Sequence, residues 1–388
     1  MPDAFLPGTV LLDASPHGAR DARSFAFARP RCLLVARAPG DVAAVLAAAE
    51  AETRAGRYVA GLVTYEAGAA MLGVPHATPV GVPYVWLGVY DAPSGPPPLP
   101  EGDVRIGNVR AAWSEAEYAA RHARVQALIR EGDVYQVNLT FPVAFDTNAS
   151  GAALYAALRA RQPVPYGALL VLDEATAVAS VSPELFFRLD GGAGGERHLT
   201  TRPMKGTRPR GNTPAADDAL RADLTASDKE RAENLIIVDL LRNDLARVCV
   251  PGSVAVPHLF ETEAHPTLHQ MTSTVTGRLR PDAGVAEVFA ALFPSGSITG
   301  APKHRAMVRI QELEPWARGA YCGAIGVMGP DVAAFSVAIR TATLHGAPGT
   351  HRRGTLGVGS GVVWASDAGA EYRECLLKAR FLTDLADR

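Results

Sequence analysis

The chain has 388 residues, of which 48% are hydrophobic and 20% are charged, a balance typical of a folded globular protein. Its net charge of −2 at pH 7 argues against a broad nucleic-acid-binding surface. No run of 18 apolar residues occurs, so membrane insertion is not expected. The four cysteines lack the paired spacing of a zinc site or a disulfide framework, which favours a reducing, cytoplasmic setting.

The first hundred residues end in a proline-rich boundary. Short apolar runs at 32–35 and 84–89 predict strands, and the alanine-rich stretch 42–55 predicts a helix. Residues 91–100 contain too much proline for a helix or a central strand. We therefore expect an N-terminal part at 1–100, interwoven with a main domain at 101–388.

A helix is predicted directly after this boundary. Ser114 and Glu117 have the spacing of a capping box, and Gly132 marks the helix end. Strand-like runs then follow at 135–143, 167–172 and 185–189. Helical and strand segments mixed in this way indicate an α+β fold.

Lysine is rare in this chain, with four residues against 34 arginines, and each lysine is therefore a candidate for a special role. Lys205 is the strongest case, because a lysine amine can lose its proton and act as a nucleophile whereas arginine cannot. Positive charges close by in sequence, from Arg202, Arg208 and Arg210, would favour the neutral amine and attract an anionic substrate. The alternative is a solvated lysine beside a turn.

Two predicted helices each carry a pair of glutamates three residues apart, and hence on one face. The first, within 225–248, holds Glu230 and Glu233, and the last, from about Asp367, holds Glu371 and Glu374 with Lys378 on the next turn. Residues 372, 375, 376, 379 and 382 form the apolar stripe that would dock this last helix. If the two pairs converge, they suit a hard cation such as Mg²⁺. Alternatively, each pair is a solvated helix face, and Glu230 caps the helix with Ser227.

Two glycine-rich segments offer exposed backbone amides. Residues 293–303 could cradle a carboxylate or phosphate at a helix start, but they do not have the spacing of a nucleotide-binding loop. Residues 357–361 read as a second turn, for which a simple hairpin is the alternative.

Taken together and in this order, these segments resemble the chorismate-utilising enzymes, a family that includes anthranilate, aminodeoxychorismate, isochorismate and salicylate synthases. The resemblance covers about 110–388, with a looser match at 61–66. It is carried by six ordered motifs: 132–138 (GDVYQVN), 182–184 (SPE), 203–207 (PMKGT), 239–244 (DLLRND), 297–303 (SITGAPK) and 371–374 (EYRE).

The resemblance implies a large α/β sandwich of two sheets, with helices outside and a central active-site cleft. It implies Mg²⁺ held by Glu233 and Glu374, supported by Glu230 and Glu371, and Glu184 as the general acid. It also implies a set of residues that contact the substrate: Gly206, Thr207, His269, Ser297, Tyr321, Arg340, Gly359 and Lys378. Each of these also has a plain structural alternative, such as a surface charge for Arg340.

Two positions discriminate among the members of the family. Synthases that add water carry a lysine base where this chain has Gln136, and anthranilate synthases usually carry alanine where it has Lys205. The resemblance therefore implies amination of chorismate to 4-amino-4-deoxychorismate, with Lys205 as a covalent nucleophile. We expect ammonia to come from solution or from a separate glutamine amidotransferase subunit, because no Gly-x-Cys-x-Gly elbow occurs. The rival hypotheses are an anthranilate synthase component and a non-catalytic chorismate-binding subunit.

Overall fold

The computed structural model describes residues 5–14, 24–191, 195–264 and 268–386. Within them the strands are β1 (Thr9–Asp13), β2 (Phe25–Phe27), β3 (Cys32–Ala36), β4 (Tyr58–Val63), β5 (Val85–Tyr90), β6 (Ile106–Ala111), β7 (Gln136–Thr147), β8 (Tyr166–Val171), β9 (Thr176–Ser182), β10 (Leu185–Asp190), β11 (His198–Arg202), β12 (Met204–Pro209), β13 (Ala255–Ala264), β14 (Leu268–Arg278), β15 (Gly300–Ala301), β16 (Ala324–Met328), β17 (Val332–Val337), β18 (Thr341–His345) and β19 (Arg352–Val362).

Five of the nine α-helices within the described ranges begin after a residue whose side chain caps them. The helices are α1 (Val42–Arg54), α2 (Tyr65–Met71), α3 (Glu115–Arg130), α4 (Gly151–Arg161), α5 (Pro214–Ala226), α6 (Asp228–Ala246), α7 (Val285–Leu292), α8 (Lys303–Leu313) and α9 (Ala368–Thr383). The capping box of Ser114 and Glu117 forms at α3, and Ser227 caps α6 by accepting a hydrogen bond from the backbone N–H of Glu230. Helices α2, α4, α5 and α7 were not predicted from the sequence.

The strands form two sheets, nine in the first and ten in the second among the described residues. The first sheet has the order β15-β7-β19-β18-β9-β8-β1-β2, with β6 also on β7. The second has the order β12-β14-β11-β10-β17-β16-β4-β5-β3, with β13 also on β14. The predicted two-sheet α+β fold is confirmed.

Apolar side chains fill the space between the two sheets and the space under the helices. Between the sheets, Val10 and Leu170 of the first sheet join Leu62 and Ile325 of the second in one buried cluster. On the outer faces, α3, α4, α8 and α9 cover the first sheet, and α1, α2, α6 and α7 cover the second. Burial of these apolar surfaces is the main stabilising term in such a sandwich.

Strands from the first hundred residues belong to both sheets. Strand β1 pairs with β8 in the first sheet, and β4 pairs with β16 in the second. The division of the chain near residue 100 stays a prediction. None of the helices in the described ranges has the length and apolar character needed to cross a membrane.

The topology brings the sequence motifs to one end of the sandwich. The link between β9 and β10 crosses from the first sheet to the second, and β12 lies at the edge of the second sheet. Helix α6 contacts β12 and β15, while α9 packs on β19. Segments far apart in sequence therefore meet at this end.

Candidate active site

Glu184 lies on the link between the two sheets and is buried, with 3% of its surface exposed. The hydroxyl of Ser297 donates a hydrogen bond of 2.6 Å to Oε1 of this carboxylate. Burial raises the pKa of Glu184 to about 7, although the Ser297 hydrogen bond and the charges of Lys205 and Lys378 act in the opposite direction. Glu184 can therefore carry a proton near neutral pH.

The turn that carries Ser297 is held in place by a buried arginine. Arg318 donates hydrogen bonds to the carbonyl oxygens of Ile298 (2.7 Å) and Asn138 (2.8 Å). Its guanidinium also makes a two-pronged ion pair with Glu314, at 2.8 and 2.7 Å. Because such forked pairs fix orientation as well as charge, the position of Ser297 is well defined. The sequence motifs did not single out Arg318 or Glu314.

Lys205 lies on β12, close to Ser297. Its Nζ atom is 3.4 Å from the carbonyl oxygen of Ser297 and 4.0 Å from Oε2 of Glu233. Only 12% of the lysine side chain is exposed. The predicted amine thus contacts the residue that hydrogen-bonds the predicted acid.

The arginines near Lys205 in sequence do not act on it as expected. Arg202 pairs with Glu263, Arg208 with Asp223 at 2.6 Å, and Arg210 with Asp217 at 2.7 Å. Each guanidinium is thus balanced by a carboxylate of its own. The ion pair that Lys205 itself makes is with Glu233.

Glutamates of α6 and α9 converge beside Lys205. Lys229 connects the two helices, because its Nζ atom is 3.0 Å from Oε1 of Glu371 and 3.8 Å from Oε1 of Glu233. Burial raises the pKa of Glu233 to about 7, and the ammonium groups of Lys205 and Lys229 lower it in part. Glu374 pairs with Lys378 at 2.6 Å.

These carboxylates have the oxygen chemistry that Mg²⁺ prefers, with one limit. Among the described residues, no three His, Cys, Asp or Glu side chains are grouped closely enough to hold a metal by themselves. Mg²⁺ keeps several water ligands and takes one or two protein carboxylates, so a larger set is not required. Glu233 is buried, and the ammonium groups of Lys205 and Lys229 lie 4.0 and 3.8 Å from its carboxylate oxygens. This carboxylate fits such a ligand.

The predicted apolar stripe of α9 needs one correction. Leu376 is 38% exposed, whereas Glu371 is 2% exposed and lies on the buried side with Cys375, Ala379 and Leu382. The ion pair with Lys229 offsets the cost of burying the Glu371 carboxylate. The helix therefore turns one acidic residue inward.

Residues 357–361 form part of β19 and not a turn. Three glycines alternate along this strand, so their missing side chains leave one face open. A Cβ atom would lie 2.1 Å from the ring of Tyr321 at Gly357, 2.6 Å from Cγ2 of Thr140 at Gly359, and 3.0 Å from Nζ of Lys205 at Gly361. The glycines make room for the side chains of the site, which is why a strand can line it.

Arg340 lies at the bend between β17 and β18, where its carbonyl oxygen accepts a hydrogen bond from Val181. Its φ of 52° is in the left-handed region, a strained conformation for an arginine. No other described residue forms an ion pair or a side-chain hydrogen bond with its guanidinium, and burial lowers its pKa to about 10. An arginine held in this way is suited to bind an anion.

Lys378 completes the charged end of the site. Its Nζ atom donates a hydrogen bond of 3.0 Å to the carbonyl oxygen of Gly359. Gly206 has a φ of +80°, and a Cβ there would lie 2.9 Å from Oε2 of Glu230. Thr207, the next residue, is exposed.

His269 and Gln136 are also buried. Nε2 of His269 is 2.8 Å from Oδ1 of Asp217 on α5, so this histidine is held against α5. Gln136 is fully buried, and among the described residues neither atom of its side-chain amide has a hydrogen-bond partner. Its Nε2 lies near Gly361, on the open face of β19.

Comparison with known proteins places the chain in a family. Residues 23–384 match the family described as chorismate binding enzyme. The chain is 43% identical over 283 residues to an aminodeoxychorismate synthase of Streptomyces pristinaespiralis. This match covers 73% of this chain and 38% of that protein. It is 41% identical over 298 residues to aminodeoxychorismate synthase component 1 of Salmonella typhimurium, covering 75% of this chain and 61% of that protein.

An anthranilate synthase component 1 of Haloarcula marismortui is similarly close, at 41% identity over 271 residues, covering 70% of this chain and 53% of that protein. The chain thus spans less than two thirds of the length of these relatives.

Solved structures share the fold. The anthranilate synthase component I of Streptococcus pneumoniae superposes with a TM-score of 0.68 at 27% identity, covering 83% of this chain and 79% of that one. The menaquinone-specific isochorismate synthase of Escherichia coli has a TM-score of 0.77 at 17% identity, covering 99% and 89%. From the family match and these relatives, the chain belongs to the chorismate binding enzymes.

Proposed function

We propose that this chain converts chorismate and ammonia to 4-amino-4-deoxychorismate. The observation that carries the proposal is the position of Lys205, whose Nζ atom lies 3.4 Å from the carbonyl oxygen of Ser297, the residue that hydrogen-bonds the acid Glu184. An amine nucleophile and a protonated carboxyl that both contact Ser297 suit the replacement of a hydroxyl group by nitrogen.

The first half of the reaction uses Lys205 and Glu184. Nζ of Lys205 attacks the chorismate ring with its lone pair, a nitrogen–carbon bond forms, and the bond between C4 and the hydroxyl oxygen breaks. Glu184 gives its proton to this oxygen, which leaves as water. A pKa of about 7 leaves a large fraction of Glu184 protonated at neutral pH.

The second half restores the enzyme. Ammonia forms a bond to C4, the bond between the ring and Nζ of Lys205 breaks, and the lysine leaves as an amine. Glu184, now a carboxylate, takes up a proton from the incoming nitrogen. The hydroxyl of Ser297 stabilises the carboxylate form by its 2.6 Å hydrogen bond.

Cationic groups would bind the carboxylates of the substrate. Arg340 has no anionic partner among the described residues, and we assign it to a substrate carboxylate. Lys378 lies at the open face of β19, and Tyr321 lies against the same face. We keep Gly206, Thr207, Gly359 and Ser297 as backbone or hydroxyl contacts, and His269 as a neighbour of the reacting centre.

The family generally depends on Mg²⁺, and the carboxylates here fit that ion. We propose that Glu233 and Glu374 hold it, with Glu230 and Glu371 nearby. When bound, the ion would cancel the charge of a substrate carboxylate close to these glutamates. Its binding site would thus help to orient the ring for Lys205.

We further propose that the nitrogen comes from a partner. The relative in Salmonella typhimurium is named a component 1, which supports a separate amidotransferase subunit that supplies ammonia from glutamine. The four cysteines are unpaired, which fits a cytoplasmic protein in the pathway to 4-aminobenzoate and folate. A secondary-metabolite pathway would use the same chemistry.

The second candidate is an anthranilate synthase component, favoured by the Haloarcula marismortui relative. That reaction would use the same pocket but release pyruvate. Mass spectrometry of the products from chorismate, MgCl₂ and ammonium chloride decides between the two. We expect aminodeoxychorismate without pyruvate; anthranilate with an equal amount of pyruvate would refute the proposal, and an unchanged substrate would indicate a non-catalytic subunit.

A further inference from the structure

Lys229 is a cation that the proposed chemistry does not use. It lies in the first turn of α6, and 36% of its side chain is exposed. Its Nζ atom is 3.0 Å from Glu371 on α9 and 3.8 Å from Glu233 one turn ahead on α6. One ammonium group thus bridges the carboxylates of two helices that the sequence separates by more than a hundred residues.

The ion pair between Lys229 and Glu371 neutralises a buried charge. Glu371 is 2% exposed, and a carboxylate buried to this extent is strongly destabilising without a cation beside it. In the described part of the chain, Lys229 is the residue that forms an ion pair with Glu371. The lysine therefore offsets the charge of Glu371 where α6 and α9 meet.

The same ammonium occupies one side of Glu233. Lys229 faces Oε1 of this carboxylate and Lys205 faces Oε2, at 3.8 and 4.0 Å. A divalent cation bound by Glu233 would be repelled by any ammonium that stayed at such a distance. The long, flexible lysine stem allows the Nζ atom to move away while it remains paired with Glu371.

We propose that Lys229 is the resident counter-ion of the carboxylate cluster: it neutralises Glu233 and Glu371 in the metal-free protein and releases Glu233 when Mg²⁺ binds. The lysine then sets how tightly the cluster takes up the ion. This inference rests on the proposed magnesium site at Glu233.

The test is the affinity for MgCl₂ alone, measured by titration calorimetry on the full chain. We expect Lys229→Gln to bind Mg²⁺ roughly tenfold more tightly than the wild type, because a positive charge about 4 Å from Oε1 of Glu233 is removed. Lys229→Arg retains the charge and should stay near the wild-type affinity. Arg242→Gln is the matched control, since it removes a positive charge from an exposed pair with Asp239 on the same helix.

A second measurement separates this role from that of a surface ion pair. Without metal, the thermal midpoint of Lys229→Gln should fall below that of the wild type, and MgCl₂ should raise it by more than it raises the wild-type midpoint. An affinity for Mg²⁺ in Lys229→Gln equal to that of the wild type would overturn the inference, whatever the midpoints.

A Glu233→Gln variant distinguishes the two levels of the argument. If it binds Mg²⁺ as the wild type does, the proposed metal site is wrong and the role of Lys229 is wrong with it. If it loses the ion while Lys229→Gln binds like the wild type, the metal site stands and only the counter-ion role is overturned.

Discussion

Ser297 donates a 2.6 Å hydrogen bond to a Glu184 carboxyl group that burial makes half protonated near pH 7. The two residues are more than a hundred positions apart in the chain, and they meet because Arg318 fixes the turn at 296–298 against β7. The pairing sets the protonation of the proposed acid. It is therefore the most direct place to test the mechanism.

The pH dependence should follow Glu184. Its folded-state pKa is raised, so the protonated acid is present below about pH 7 and is lost as the pH rises through that value. At constant free ammonia, we expect turnover to fall above about pH 7. Ser297→Ala removes a hydrogen bond that favours the carboxylate, so the fall should move upward by about 1 pH unit. A profile unchanged by Ser297→Ala would contradict the pairing.

Glu184→Gln should lower turnover by roughly 10²- to 10⁴-fold, because the amide cannot give a proton to the departing hydroxyl. The pH-dependent fall should disappear in this variant. The affinity for chorismate, measured by calorimetry, should change little, since the side chain acts on the leaving group.

Lys205→Ala should reduce aminodeoxychorismate formation by orders of magnitude, because the nucleophilic route is removed. The free energy of unfolding should change by about 1 kcal/mol or less, since Glu233 keeps its pairing with Lys229. Brief incubation of the wild type with chorismate should leave a mass increase on the peptide that contains Lys205. An undiminished rate in the alanine variant would exclude the covalent step.

Arg340→Met should separate stability from function. The guanidinium is held without an anionic partner among the described residues, so its removal should stabilise the fold by roughly 1–2 kcal/mol. Chorismate binding should weaken, visible as a raised KM. Lys303→Met is the matched comparison, because that lysine is buried but paired with Asp244 at 2.7 Å and its loss should destabilise. A less stable Arg340→Met would show that the arginine has a structural partner.

Glu233→Gln and Glu374→Gln should each weaken Mg²⁺ binding by roughly tenfold or more, since one charged ligand of a hard cation is lost. The double variant should be little worse than either single one, because both changes disable one site. Calorimetry with MgCl₂ in the presence of chorismate measures this. Additive losses would indicate two separate ion sites.

Nitrogen supply is tested by comparing ammonium with glutamine. The purified chain should use ammonium, with free ammonia as the reacting species, and should ignore glutamine. Addition of an amidotransferase subunit should confer glutamine use through an interface of about 1,600 Å² in total, a usual size for such contacts. Glutamine-dependent turnover by this chain alone would contradict a separate source of ammonia.

Much of the fold followed from local patterns. The capping box at Ser114, the cap at Ser227 and the last helix after Asp367 all form as predicted, because these interactions lie within one turn of the chain. The local patterns did not predict α2, α4, α5 or α7, and they predicted a turn at 357–361, which lies within β19. The three glycines of this segment serve an open strand face, which depends on Tyr321 and Lys205 arriving from elsewhere.

The sequence by itself determined the inventory of the site: a rare lysine, two glutamate pairs and the motif order that indicates a chorismate-utilising enzyme. Only the tertiary structure decided which residues these side chains and their charged neighbours pair with. It neutralised Arg202, Arg208 and Arg210 with carboxylates, turned Glu371 inward against Lys229, and placed Ser297 on Glu184. Charge pairing depends on distances between segments remote in sequence, and these are set by how the two sheets pack, which no local pattern encodes.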